Sequence, residues 1–429
     1  MREQSPSPAG RVGVGADDMA GPIPTRSGWS RYRGLAGSRD FMAFWSALSL
    51  SLLGDMFSYI ALAWLVLQLT GSGVALGAVL AVQGIPRVLF MLVGGAVSDH
   101  LSARRTMIVS AAGRTLVAAA LAALVLTHAA ALWHVYVAAF LLGSVSAFFL
   151  PSSQSILPQL VDGELLEAGN AAIQVSKQGS NVVGPALAGL TVAAYGSGAA
   201  IAVDAACFAL TAATLLMIRG GAAPMRGRPG FAAFMGSVRE GLAYVWGSIP
   251  LRTLFAATTA MNFAFAGPFT VGLAILARER LGGPAALGWT LGGFGAGAVL
   301  GAIVTGVLPR QPRRGRATIA VCLWLGAGMA LFGVLPNLAA VVACGVLMGL
   351  VIGFANTFGS SWMQRHVEPA MLGRVAALLM LAAFGLGPLS YAAAGLLSQL
   401  QPAVMFAGGG AILVLTGLAC ASSRTFRAL

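Results

Sequence analysis

Twelve stretches of about twenty residues, nearly free of charge, recur along this chain, and a polypeptide built that way has to place them in lipid. They run near 43–69, 74–98, 106–127, 131–151, 170–194, 199–218, 251–277, 285–308, 317–335, 338–361, 371–398 and 403–421. At about 1.5 Å per helical residue, each covers a hydrocarbon core of about 30 Å. Composition agrees: 58% of the residues are hydrophobic, 9% are charged, and mean hydropathy is +0.84. Soluble domains average about 25% charged residues, so the stretches read as membrane spans. The expectation is an all-α membrane protein of twelve transmembrane helices.

Lys and Arg concentrate on the cytoplasmic side of membrane proteins. With the N-terminus inside, 21 of the 26 basic residues fall in cytoplasmic segments. Only Arg278 and Arg280 lie outside, while Arg87, Arg114 and Lys177 lie within spans. The net charge of +13 is thus a topology pattern and leaves little for a nucleic-acid partner to explain. Residues 1–40 are polar, Gly/Pro/Ser-rich and without the apolar region of a cleavable signal, which predicts a disordered cytoplasmic tail. Cys207, Cys322, Cys344 and Cys420 all fall inside spans without metal-like spacing and read as small buried hydrophobes. No triad, metal cluster or phosphate loop is present in the sequence, so neither catalytic residues nor a metal or other cofactor are expected. With 25 arginines against one lysine, the chain hints at a GC-rich bacterial genome.

An internal repeat divides the chain. Gly95 precedes Gly301 by 206 residues, Gly184-Pro185 precedes Gly387-Pro388 by 203, and Asp55 precedes Asn262 by 207. Three landmarks near one spacing predict two six-helix halves, 41–218 and 251–422, around a central cavity. They are joined by a cytoplasmic linker at 219–250 that opens with GGAAPMRGRPG, and 423–429 forms a second cytoplasmic tail.

Several motifs then point to a family. GGAVSDHLSARR, residues 94–105, resembles the loop motif of the major facilitator superfamily at Gly95, Val97, Ser98, Asp99 and Arg104. It departs from that motif at Ser102 and Ala103. GD at 54–55, IP at 85–86, GPALAG at 184–189, DAACF at 204–208, EGLAYVW at 240–246 and GRV at 373–375 resemble the proton-driven drug-efflux branch that includes macrolide and enterobactin exporters. The resemblance covers about residues 40–422.

That resemblance implies a carrier that alternates access between the two sides. Gly95, Asp99, Arg104 and Arg105 would form a conformational latch, with Asp99 facing the positive N-terminus of the eleventh span. Gly184, Pro185 and Gly189 match an antiporter motif on the fifth span, whose partner across the halves is the small-residue stripe of the eighth. Charges inside spans each cost about 2.5–3.5 kcal/mol at mid-membrane unless paired or wet. Asp55, at a depth matching Arg87 on the next helix, reads as the proton-coupling acid with Arg87 as its partner in one conformational state. Arg114 and Lys177 are shallower, and Asp204 reads as a cap near the outer end of the sixth span. In the second half Asn262, Thr270, Asn356, Ser360 and Tyr391 offer a mildly polar substrate surface. The basic lean of the cavity favours neutral or anionic cargo.

The expectation is therefore a monomeric, multi-pass exporter of the cell membrane with both termini cytoplasmic. Its cargo would be amphipathic small molecules such as a drug, macrolide-like antibiotic, siderophore or metabolite, driven by the proton gradient. An importer or facilitator of the same fold, and a non-transporting scaffold or sensor, remain as alternatives. The lipid bilayer is the only other partner expected.

Overall fold

The structure is a computed structural model, and it describes residues 28–97, 102–220, 231–307 and 314–422. The described residues are almost entirely helical: α1 (Gly28–Gly37), α2 (Arg39–Thr70), α3 (Gly73–Val97), α4 (Ala103–Leu126), α5 (Leu132–Leu160), α6 (Leu166–Leu216), α7 (Phe231–Gly247) and α8 (Ile249–Gly267) lead to α9 (Leu273–Glu279). Then follow α10 (Pro284–Val307), α11 (Arg314–Phe332), α12 (Leu338–His366), α13 (Pro369–Gly385), α14 (Gly387–Leu397) and α15 (Pro402–Ser422).

Eleven described helical segments are long and apolar enough to cross a membrane. The longest, Gly163–Leu216, has 54 residues, or about 80 Å of helix, far more than one crossing needs. Gly196 divides it, with φ +83° and ψ 171°, a conformation that a side chain would oppose. The segment is therefore the fifth and sixth spans joined at a kink, and the chain makes twelve crossings. Two other spans are also broken. Pro268, which has no N–H, starts a π-helical turn at Pro268–Gly272 between α8 and α9. Leu386 separates α13 from α14 in the eleventh span.

One stretch differs from the sequence expectation, and the linker has structure of its own. α1 lies inside the tail expected to be disordered, because Leu35, 2% exposed, gives it an apolar anchor in the core of the first half. The 219–250 connection contains α7, which packs on α8 and α13 through Val245 and Tyr244.

α2 begins and α15 ends on one side of the molecule, here the terminal face; the other is the opposite face. Toward the opposite face one continuous apolar cluster spans both halves, from Phe57 and Leu76 to Phe406 and Leu413. Toward the terminal face that core splits into separate clusters. One is built by Phe41, Phe44, Met107 and Ile156, and another by Val245, Val367, Val375 and Leu378. The halves therefore adhere on the opposite side and part toward the terminal side.

The seams are two. α6 meets α10 where Gly288 lies under the carbonyl of Pro185, close enough that any β-carbon there would collide with it. α3 meets α14 where Gly84 faces Pro388 and Gly77 faces Gly395. At the rim, Arg278 of α9 donates to the carbonyl of Leu67, at the C-terminal end of α2, so a cation from one half caps a helix of the other.

Candidate functional site

Asp55 lies near the middle of α2, and its carboxylate pairs with the guanidinium of Arg114 on α4. Arg114 is 5% exposed as a residue, whereas the side chain of Asp55 is 40% exposed. The acid thus reaches open space and the base is sealed behind it. Arg114 also donates to Ser51 Oγ at 3.5 Å, and its Cζ stands 3.6 Å from the centroid of the Phe208 ring. A desolvated cation over an aromatic face gains roughly 2 kcal/mol, which helps hold an ion at this depth.

Asp204, one turn before Phe208 on α6, is 1% exposed. Its Oδ1 lies 3.1 Å from the point a β-carbon of residue 54 would occupy, and Cys207 Cβ lies 3.0 Å from the same point. Gly54 therefore allows α2 to lie directly on the Asp204 face of α6. Among the described residues, Arg114 Nε and both carboxylate oxygens of Asp204 are the buried side-chain atoms without a hydrogen-bond partner. Ser58 runs alongside Asp204 without reaching hydrogen-bond geometry.

Two expectations are corrected by this geometry. The partner of Asp55 is Arg114, and Arg87 is exposed elsewhere, in electrostatic range of Tyr391 in the other half. Matching depth along consecutive helices failed because α3 leans on α5 and α14, while α2 lies against α6. Nor does Asp204 cap an outer helix end. The fifth and sixth spans are joined by a kink, and the second limb of α6 runs back along α2, which carries Asp204 into the same cluster as Asp55. The GD and DAACF motifs are thus two sides of one site.

The latch residues divide. Asp99 lies outside the described residues. Gly95 falls within α3, and Arg105 is exposed beside the Ser102 N-cap. Arg104 donates to the carbonyls of Leu215 at 3.2 Å and Leu216 at 2.8 Å, capping α6. Gly184, Pro185 and Gly189 are buried, and the last two lie on the α10 seam. Lys177 is exposed on the first limb of α6.

In the second half Asn262 and Asn356 line a cavity of about 160 Å³ with Met261, Phe265, Phe354 and Phe358. Asn262 donates to the carbonyl of Thr258 at 2.9 Å, and Ser360 is exposed nearby on α12. Thr270 sits in the π-helical turn, between the hydroxyls of Tyr59 of the first half and Tyr391 of the second. That turn is held by Ser390, whose hydroxyl accepts from Gly267 N at 2.7 Å and donates to the carbonyl of Phe263.

Sequence reasoning missed one contact outright. Glu240 of α7 pairs with Arg374 of α13 at 2.9 Å, so the EGLAYVW and GRV motifs touch. Their opposite charges were the available cue, but nothing in the spacing placed the linker against the eleventh span.

Removing the buried base gives a direct check of the cluster. Arg114→Ala removes a buried guanidinium together with its bond to Asp55 and its contact with the Phe208 ring, the last worth roughly 2 kcal/mol. Thermal unfolding of the purified protein is expected to show a marked drop in midpoint, and an unchanged midpoint would make Arg114 a bystander.

Two pseudo-repeated six-helix halves, sealed on one face and carrying an ion pair at mid-membrane, define a multi-pass membrane carrier of the major facilitator fold. The chain matches the transmembrane secretion effector family over residues 35–425, and it belongs to that family. It is 29% identical over 353 residues to the multidrug efflux pump Tap of Mycolicibacterium fortuitum, covering 81% of this chain and 86% of that one. It is 27% identical over 355 residues to the multidrug efflux pump Tap of Mycobacterium tuberculosis (strain ATCC 25618 / H37Rv), covering 81% and 84%. Among solved structures it resembles the nucleoside transporter NupG, with a TM-score of 0.70, 14% identity and coverage of 90% and 98%. It also resembles a POT family transporter in complex with a thioalcohol conjugated peptide, with a TM-score of 0.68, 15% identity and coverage of 91% and 96%. These two show the fold alone.

Proposed function

We propose that this protein exports amphipathic organic compounds from the cell by alternating access, driven by proton antiport at Asp55 with Arg114 as its ion-pair partner. The observation that carries the reading is the position of Asp55, a partly exposed mid-helix acid whose base is buried. An acid so placed can bind either a proton or Arg114, and that choice can be tied to which face is closed. The export direction is supported by the multidrug efflux pumps among its relatives.

Arg87 and Lys177 are exposed, Asp55 is partly exposed, and the second half contributes amides, hydroxyls and phenylalanines. That surface suits neutral or anionic amphiphiles better than dications. In proteoliposomes with an imposed pH gradient, a neutral macrolide is expected to move against the proton flow and a dicationic dye to move poorly. Transport that ignores the gradient would point to a facilitator.

The same reading puts the terminal face in the cytoplasm of the cell membrane, as the distribution of arginines implies. A cysteine placed at Gly282 should be labelled from outside intact cells and one at Gly163 should not. The reverse pattern would invert the orientation and, with it, the proposed direction of transport.

A further inference from the structure

We infer that Asp204 is the residue that stores the coupling proton in the conformation described here, and that Arg114 changes partner from Asp55 to Asp204 when the carrier switches. The inference rests on the proton-antiport reading above, which it extends to a second acid.

The argument is one of charge balance at one point. Three groups converge there: Asp55 from α2, Arg114 from α4 and Asp204 from α6. The remaining titratable neighbour is the Cys207 thiol on the same helix as Asp204. One guanidinium against two carboxylates leaves one negative charge. Asp55 holds Arg114 and is partly solvated, whereas Asp204 is 1% exposed and neither of its oxygens accepts a hydrogen bond. An ionised carboxylate without donors is the costliest group a membrane interior can contain. A proton on Asp204 brings the cluster to neutrality and removes that cost.

The guanidinium is already positioned for an exchange. It lies over Phe208, one helical turn from Asp204, and its Nε has no partner. Loss of the proton from the Asp204 carboxyl to water in the cavity turns that group into a second acceptor for Arg114. Breaking the Nη2 bond to Asp55 and making one to Asp204 then frees Asp55 toward the cavity, where it can take a proton or a polar group of the cargo. In this step one proton leaves Asp204 for water, Arg114 exchanges one carboxylate for the other, and no electrons move.

The test uses purified full-length protein in nanodiscs, with spin labels at Leu69 and Leu400. These are exposed positions on the opposite-face ends of the two halves. Raising pH is expected to widen the distance between labels, the ratio of open to closed opposite face rising by up to about tenfold per pH unit for one linked proton. Asp204→Asn, which mimics the protonated acid, should hold the closed distance at every pH, while Asp204→Glu should restore the response. A parent whose distances ignore pH, or an Asp204→Asn protein that retains the parent's response, overturns the inference. The infrared carbonyl band of a protonated carboxyl supplies a readout on the parent itself. It should be present at low pH in the parent and absent from Asp204→Asn, and its absence from the parent also overturns the inference. Drug transport driven by a pH gradient that persists unchanged in Asp204→Asn would sink this inference and leave the efflux reading standing. Absence of gradient-driven transport in the parent, with the pH response intact, would do the opposite.

Discussion

Asp55→Asn is expected to abolish gradient-driven transport, down to the level of empty vesicles, while leaving a folded protein. Asparagine keeps the size of the side chain and an oxygen that can accept from Arg114 Nη2. The Asp55 side chain is 40% exposed, so its pair resembles a surface ion pair, worth roughly 0–1 kcal/mol, more than a buried one. Arg114 would still have Asp204 within reach. Stability should therefore change little, and proton exchange at the cavity wall should stop. Exchange of labelled for unlabelled cargo, which moves no net proton, is expected to survive. Proton release on cargo binding, measured in weak buffer, decides the matter. Equal release from parent and variant would remove Asp55 from the coupling step.

The second large effect belongs to the seam between the halves. In Gly288→Leu the new β-carbon would collide with the Pro185 carbonyl, and would stand 3.1 Å from the Gly189 α-carbon. Overpacking of this kind costs about 1–3 kcal/mol, equivalent to a shift in the closed-to-open ratio of roughly fivefold to more than a hundredfold. Each half keeps its own terminal-side core, so the loss should appear as failure to close the opposite face rather than as unfolding. The labels at Leu69 and Leu400 should move apart, and transport should fall with them. Gly306→Leu is the control, since that position on the same helix has nothing within 4 Å of a β-carbon. Equal behaviour of the two variants would deny the seam its role.

The spans were legible because a run of apolar residues reports length, and length alone decides whether a helix crosses. The 205-residue spacing likewise announced two related halves, with Gly184-Pro185 and Gly387-Pro388 at corresponding places in the sequence. Rotation about the helix axis was not legible in the same way. Arg87 and Arg114 are both mid-span bases, and only tertiary packing reveals that the base on α4, not the one on α3, reaches Asp55, while α6 lies along α2. One cue was available and went unused: Asp204, Cys207 and Phe208 share a face at i, i+3 and i+4. That spacing marks a helix stripe prepared for a charged neighbour. The FGLGP sequence at 384–388 similarly foretold the break between α13 and α14. The contact of the linker with the eleventh span had no comparable cue, because an exposed Glu on an amphipathic helix has many possible partners.

The kink at Gly196 has a consequence for anything meant to grip this molecule from the opposite side. There the fifth and sixth spans turn over on a glycine, and the remaining connections, at 71–72, 127–131, 280–283, 333–337 and 398–401, have five residues at most. A nanobody, a phage or a protease meets a nearly bald surface, with no loop long enough to be drawn into a binding cleft. An agent that blocks the carrier would have to arrive through the bilayer or through the mouth between the halves.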